Sequence, residues 1–276
     1  MFRTTFFTLA MAAATAVCTS CGTNNRADGA AGMATDSVVV DTTVALDNGT
    51  GAPACRLSLS VKYLKGGKQA QTINDTLLRN GVLTPDYLSL TKERISPANA
   101  VDSFVRRFLA DYREEYGRMY RSDREHAGAY SYEYRVRTDV ETNGKGILTY
   151  IATAYAASGT ARATRQTVAL NFNTKTGRML RLGDIFVAGH EEGLKEAVTG
   201  QMLDDFGVDD MEELNAKSVF ANTGVYVPEN FIIGRDNITF IYCENEIACR
   251  DMGEIRVTLP LRTIRKLIRK DYEQHT

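Results

Sequence analysis

The sequence is poor in the residues from which many enzyme centres are built. Histidine occurs only at His126, His190 and His275. His190-Glu191-Glu192-Gly193-Leu194 begins like a zinc-protease helix but has no second histidine at the required spacing. No G-x-S-x-G elbow, no P-loop and no G-x-G-x-x-G turn is present, so three common routes to nucleophilic, phosphoryl-transfer and dinucleotide chemistry are missing. There is no excess of charge of either sign: 33 Lys+Arg stand against 34 Asp+Glu, a net charge of -1. A general nucleic-acid binder would carry a basic excess, so nucleic acid is not an expected partner. No apolar run is long enough to span a bilayer comfortably, and the longest, Phe6 to Val17, covers only about a dozen residues. No internal repeat interrupts the chain.

What is present begins with a leader. Met1-Phe2-Arg3 is a short basic start, and Phe6 to Val17 has the length of a signal-peptide core. Cys18-Thr19-Ser20-Cys21-Gly22 follows, and small residues before a cysteine at this point resemble a bacterial lipobox. Cys21 is the expected lipid-attachment residue, with Cys18 the second choice; an ordinary cleaved signal and a secreted product are the alternative. Acyl chains on Cys21 would hold the protein to a membrane, several chains firmly and one weakly. Asn24 to Pro53, rich in Gly, Ala, Thr, Asp and Asn, reads as a flexible tether, with a short strand at Val38-Val39-Val40 the alternative. The expected division is therefore signal peptide 1–21, tether 22–54, and two subdomains, 55–160 and 161–276. No acidic cluster follows Cys21, of the kind that marks surface export in Bacteroidetes-type lipoproteins. The expected location is the outer membrane, facing the periplasm, with surface exposure the alternative.

At 43% hydrophobic residues the remainder can build a full core. Cys55 to Leu64 alternates Leu57, Leu59, Val61 and Tyr63 against Arg56, Ser58, Ser60 and Lys62, a strand with one wet face. Gln69 to Arg79 has helical spacing and closes at Asn80-Gly81. Ser96-Pro97 is a strong helix start. Val101, Phe104, Val105, Phe108, Leu109, Tyr112, Tyr116, Met119 and Tyr120 then form one stripe, read as core rather than as a sugar platform. Tyr130 to Arg137 and Ile147 to Ala157 are strands, the second with apolar residues on both faces. Arg162 to Phe172 is a third strand. Helices are expected over His190 to Phe206 and Asp209 to Phe220. Strands follow around Phe231 to Ile233, Ile238 to Tyr242 and Ile255 to Leu259, and a last helix starts at Pro260. The fold class is α+β: an antiparallel meander with helices packed on one side, in two subdomains.

Thr167 to Phe186 is the most informative stretch. Val168, Leu170 and Phe172 alternate with Thr167, Ala169, Asn171 and Asn173, and Lys175-Thr176-Gly177 makes a turn. Asn171, Asn173 and Asp184 read as turn and cap residues. The order N-F-N-x-x-T-G (Asn171 to Gly177), L-x-D-x-F (Leu182 to Phe186), then Phe240, Tyr242, Glu246-Ile247-Ala248 and Gly253 resembles an envelope-domain family. Members of that family occur in the lysozyme-sensing anti-sigma factor RsiV and in the non-catalytic half of the peptidoglycan deacetylase PdaC. Ile73-Asn74 looks like the matching mark of its N-terminal subdomain. The resemblance covers roughly Cys55 to Lys270. It implies an α+β domain pair used in the cell envelope, and a sensing or binding module without a catalytic domain. Where the family more often has Pro and Tyr around Glu246, this chain has Cys243-Glu244-Asn245 and Cys249-Arg250-Asp251.

Function is therefore expected in loops, above all Cys243 to Gly253, with Glu244, Glu246, Arg250 and Asp251 as the candidate ligand residues. Paired carboxylates there could instead cleave a glycoside. Cys243 and Cys249 flank this loop and could close it in a disulfide; Cys55 could pair with either, and unbridged thiols are the alternative. These spacings offer no clear fourth zinc ligand, so neither metal nor cofactor is expected. The preferred expectation is a non-enzymatic, lipid-anchored binding or sensing module. A basic envelope protein such as lysozyme would meet the acidic Asp204 to Glu213 segment. The alternative is a protein that binds or hydrolyses peptidoglycan, or assists its deacetylation.

Overall fold

The computed structural model describes residues 33–87 and 94–273. The signal peptide, the lipobox and Cys21 lie outside the described residues. Six strands form the first sheet in sequential order: β1 (Ala34–Ala45), β2 (Ala54–Lys65), β3 (Tyr132–Thr142), β4 (Ile147–Ser158), β5 (Thr164–Asn173) and β6 (Met179–Leu180). All neighbours are antiparallel except β2 and β3, which run parallel. The expected meander is thus broken once. Parallel neighbours require a crossover, and α1 (Gly67–Leu78) and α2 (Pro97–Ser122) supply it.

The crossover puts both helices on one face. Ser96 caps α2, its hydroxyl accepting from the Asn99 N–H at 3.3 Å, with Pro97 at the first helical position. Val101, Phe104, Phe108 and Tyr112 then bury against Leu57, Leu59 and Val61 of β2 and Tyr134 and Val136 of β3. The tyrosine stripe is core, as read. Met119 departs from it and is exposed, while Tyr120 beside it is buried. Asn74 of α1 is buried and clamps the end of β2, accepting from the Leu64 N–H at 2.9 Å and donating to the Leu64 carbonyl at 2.8 Å.

Two expectations about the first half are corrected. Residues 34–45 were expected as tether but form β1, paired with β2 along its whole length, with Val38 and Val40 packed on the core. Their Thr, Asp and Ser content reflects an edge strand with one wet face. The border at 160/161 also fails, because β5 and β6 complete the first sheet as far as Leu180.

The second half holds its own sheet, β7 (Phe231–Ile233), β8 (Asn237–Tyr242) and β9 (Ile255–Pro260), all antiparallel. It packs with α3 (Leu182–Ile185), α4 (Glu191–Phe206) and α5 (Met211–Ala216) around Val198, Met202, Leu214, Phe231, Phe240 and Val257. α5 is shorter than expected. Ser218 and Phe220 turn left-handed, at φ 65° and 53°, and the Phe220 N–H bonds the Ile247 carbonyl at 2.7 Å. The expected helix from Pro260 is replaced by turns, a 3₁₀ segment at Arg265–Leu267 and a short α6 (Lys270–Glu273). Ile264 and Ile268 are buried as the helical spacing suggested. The chain stays open because the Val187 N–H takes the Leu267 carbonyl and the Arg269 N–H takes the Ile185 carbonyl.

Two asparagines tie the sheets together. Asn171, buried on β5, donates to the Phe231 carbonyl at 2.7 Å and accepts from the Thr149 hydroxyl at 2.8 Å and the Ile233 N–H at 3.3 Å. Asn230 accepts from the Ala169 N–H at 2.8 Å and donates to the Thr167 carbonyl at 2.8 Å. Asn171 is therefore an inter-sheet bridge rather than a turn residue. Asn173 and Asp184 are the turn and cap residues expected: Asn173 accepts from the Lys175 and Thr176 N–H groups, and Asp184 from the Arg181 N–H.

Candidate functional site

The loop 243–254 joins β8 to β9, and its charges are spent on holding it. Glu246 accepts the Cys243 N–H at 2.6 Å and a short bond from the Tyr226 hydroxyl. Burial first, and then that bond, raise the Tyr226 phenol above its ordinary value, so it stays a neutral donor. Tyr242 donates to the Tyr226 carbonyl at 2.6 Å, and Phe220, Tyr226 and Tyr242 pack edge-on around the turn. Glu244 pairs with Arg250 at 3.2 Å and accepts the Arg165 N–H at 3.2 Å. Asp251 pairs with Arg162 at 2.8 Å. The four candidate ligand residues are thus near in sequence but divided in task. Glu246 folds the turn, while Glu244, Arg250 and Asp251 strap the loop to the segment that opens β5.

The three described cysteines, Cys55, Cys243 and Cys249, are free thiols. No bridge joins Cys243 to Cys249. Cys243 donates to the Thr167 carbonyl at 3.2 Å, beneath the loop, whereas Cys249 is exposed. Burial raises the Cys243 thiol and pushes Cys55 up to about 12, so neither is a ready nucleophile. Among the described residues no group of three or more His, Cys, Asp or Glu side chains could hold a metal ion. His190 sits at the start of α4, stacked on Phe186 with its Nδ1 at 2.8 Å from the Val187 carbonyl.

The open face of the first sheet is a different kind of surface. With the helices on one side, the alternate residues of β2 to β5 look outward. Ser58 stands beside Arg135, which stands beside Tyr155, which stands beside Arg165. One rung along, Ser60, Arg137, Thr153 and Thr167 make a second row. These rows floor a cleft of about 800 Å³ that also takes in Asp139 and Ile151. The second half of the chain covers the β5 end, burying Thr167, Ala169 and Asn171. At that rim lies a smaller cleft of about 270 Å³, lined by Glu244, Glu254 and Arg256, and it shares Thr153 and Arg165 with the first.

The charges on this face differ in how they are met. Arg135 pairs with Glu133 at 3.3 Å and lies over the Tyr155 ring at 4.1 Å. Lys62 pairs with Asp139 at 2.5 Å, and Arg256 with Glu254 at 2.6 Å. Burial works against the Asp139 charge, but the bonds from Lys62 and the Val140 N–H, with the fields of Lys62 and Arg137, hold its carboxyl below the usual range. The Arg137 and Arg165 guanidiniums have no hydrogen bond or ion pair among the described residues, and both residues are exposed. The sequence showed these positions as wet faces of separate strands. The parallel pairing of β2 with β3, which sets Ser58 and Ser60 beside the arginines, had no signal in a pattern read as a meander.

A third concavity, of about 790 Å³, lies beside Lys145, Arg235 and Arg262 on a floor that includes Leu261 and Ile268. Lys145 is already engaged there, donating to the Arg235 carbonyl at 3.2 Å.

A two-layer α+β unit carrying a small second sheet, with a polar sheet face left open, defines the class of protein. Residues 183–262 match the family model described as a protein of unknown function (DUF3298). The match starts just past β6, where the first sheet ends. A DUF3298 family member from Bacteroides fragilis has the same fold, with a TM-score of 0.77 and 23% identity over 87% of this chain and 94% of that one. A DUF3298 family protein from Pseudomonas aeruginosa matches with a TM-score of 0.57 and 13% identity, over 86% and 95% of the two chains. No curated protein matches the chain.

Proposed function

We propose that this chain is a non-enzymatic binding or sensing module of the cell envelope, held to a membrane by lipid on Cys21. One contrast supports the reading. The carboxylates of loop 243–254 are engaged in folding that loop, whereas the Arg137 and Arg165 guanidiniums on the broad open sheet face make no hydrogen bond or ion pair with any described residue. A glycoside-cleaving pair needs one carboxyl free to give a proton and a second free to attack or to activate water. Glu246, locked by Tyr226 and the Cys243 N–H, is poorly placed for either role. The resemblance to the RsiV and PdaC envelope domains fits the same reading.

A second partner is favoured by a separate feature. Asp204, Asp205, Asp209, Asp210, Glu212 and Glu213 are all exposed, and no Lys or Arg lies between 204 and 213. Asp210 caps α5 and Glu213 bonds back to the Asp209 N–H, and the six carboxylates still present one acidic edge. A basic envelope protein such as lysozyme is its matching partner. Among the described residues no helix is long and apolar enough to cross a membrane.

The test combines retention and chemistry. The purified protein is co-sedimented with peptidoglycan sacculi and, separately, titrated with lysozyme at low salt. Retention without release of muropeptides by mass spectrometry is expected. Released product would overturn the non-enzymatic reading, and failure of both partners would overturn the envelope-ligand reading. Cys21→Ala should move the protein from the membrane to the soluble fraction; an unchanged fractionation would remove Cys21 as the anchor.

A further inference from the structure

We propose that the open face of the six-stranded sheet binds an acidic polysaccharide, with the Arg137 and Arg165 guanidiniums each taking a carboxylate of the extended chain. The proposal rests on the binding-module reading above and names its ligand class and site.

The first ground is charge without a partner. Nearly every other basic group on this face is already neutralised, Arg135 by Glu133, Lys62 by Asp139 and Arg256 by Glu254. A guanidinium presents a planar fork that takes a carboxylate with two parallel hydrogen bonds. Two such forks facing a cleft form a recognition surface that the fold itself does not use.

The second ground is spacing. Arg165 is in register with Tyr155, and Arg137 with Thr153. The two arginines are therefore separated by β4 and by one step along it. Strand geometry puts their roots roughly 12 Å apart. The Thr153 hydroxyl lies between them, with Ser58 and Ser60 alongside. Charges alternate with hydroxyls, which matches a chain whose acids are separated by neutral hydroxyl-bearing units.

The third ground is what the surface repels. Asp139 lies beyond Arg137, and Glu244 and Glu254 lie beyond Arg165. A polymer with a phosphate on every unit would run over these carboxylates. A glycan with sparse acids can place its neutral units there. The shared lining of the two clefts gives the face length, which suits an extended occupant over a compact one.

The experiment is calorimetric titration with hyaluronate, whose carboxylated sugars alternate with neutral N-acetylglucosamine, beside neutral dextran, polyphosphate, lysozyme and sacculi. The variants are Arg137→Gln with Arg165→Gln, and Arg106→Gln on the outer side of α2 as control. Neither open-face guanidinium makes a hydrogen bond or ion pair with another described side chain, so the double variant should keep its fold, which circular dichroism checks. The wild type is expected to bind hyaluronate and ignore dextran. The double variant should lose about tenfold or more in affinity, as expected for charge-assisted contacts, with Arg106→Gln unchanged. Unaltered affinity in the double variant, or tighter binding of polyphosphate, would overturn the proposal. If sacculi or lysozyme are bound but hyaluronate is not, the glycan assignment fails and the binding module stands. If none is bound, both fail.

Discussion

Asn171 and Asn230 show how much one side chain can carry in this molecule. Each satisfies backbone groups of the neighbouring sheet that have no ladder partner of their own. Removing either amide strands buried donors and acceptors, at a cost of about 1 to 3 kcal/mol. Asn171→Ala and Asn230→Ala should each lower the unfolding free energy extrapolated from urea by that amount, and an unchanged value would remove the bridging role. Asn74 performs the same service for Leu64. All three were visible in the sequence as residues, but not in these roles. An asparagine beside a turn reads as a turn residue, and only the approach of another backbone makes it a bridge. The thiols give a second prediction at this scale. Of Cys55, Cys243 and Cys249, native maleimide labelling should mark Cys249 alone, read by peptide mass spectrometry. Labelling of Cys243 without denaturant would show that loop 243–254 opens.

Among the elements, legibility followed burial. α2 announced itself through Ser96-Pro97 and its apolar stripe, because cap chemistry and core burial are local facts. β1 did not, since half of an edge strand is wet and Asp, Ser and Thr at those positions look like linker. The segment after Pro260 kept its helical pattern of buried isoleucines while losing the helix to bonds with Ile185 and Val187, partners distant in sequence. β1 also carries a dependence on acidity. The bond from Lys65, then the Ser37 N–H and the Tyr63 hydroxyl, hold the Asp36 carboxyl below the usual range. The folded value is depressed, so the stabilisation is present above the ordinary carboxylate pKa and is lost as pH falls through the folded one. Amide exchange in β1 should accelerate below about pH 4 relative to β4 and β5, which carry no carboxylate. Asp36→Asn should remove that difference; equal acid sensitivity of all strands would contradict it.

At the scale of the whole molecule, two cores share one wall. Phe172 of β5 packs in the first core while Asn171 reaches into the second, and Leu148 and Ile147 of β4 divide in the same way. The second face of β4 is thus buried at Ile147, whereas Ile151 and Tyr155 farther along it line the open cleft. The shared wall argues against independent folding of the halves, despite two sheets and a family match confined to residues 183–262. Phe104→Ala in the first core and Phe240→Ala in the second should each cost about 3 to 5 kcal/mol and lower the same single transition. Two separated transitions would show that the wall is only a contact. The fold class and the broad order of strands were legible from alternation. The open binding face was not, because it is made of positions whose neighbours are set by the β2 to β3 crossover.

The bonds around Asp36 have a mechanical consequence. Any pull on the chain ahead of residue 33 reaches the domain first at the Ala34 end of β1, opposite Lys65. A strand loaded sideways at its end unzips one rung at a time, and the first rungs decide whether it starts. Asp36, Tyr63 and Lys65 are fastened together at that end. The domain is reinforced where tension would enter, and the remaining rungs of β1 then share the load.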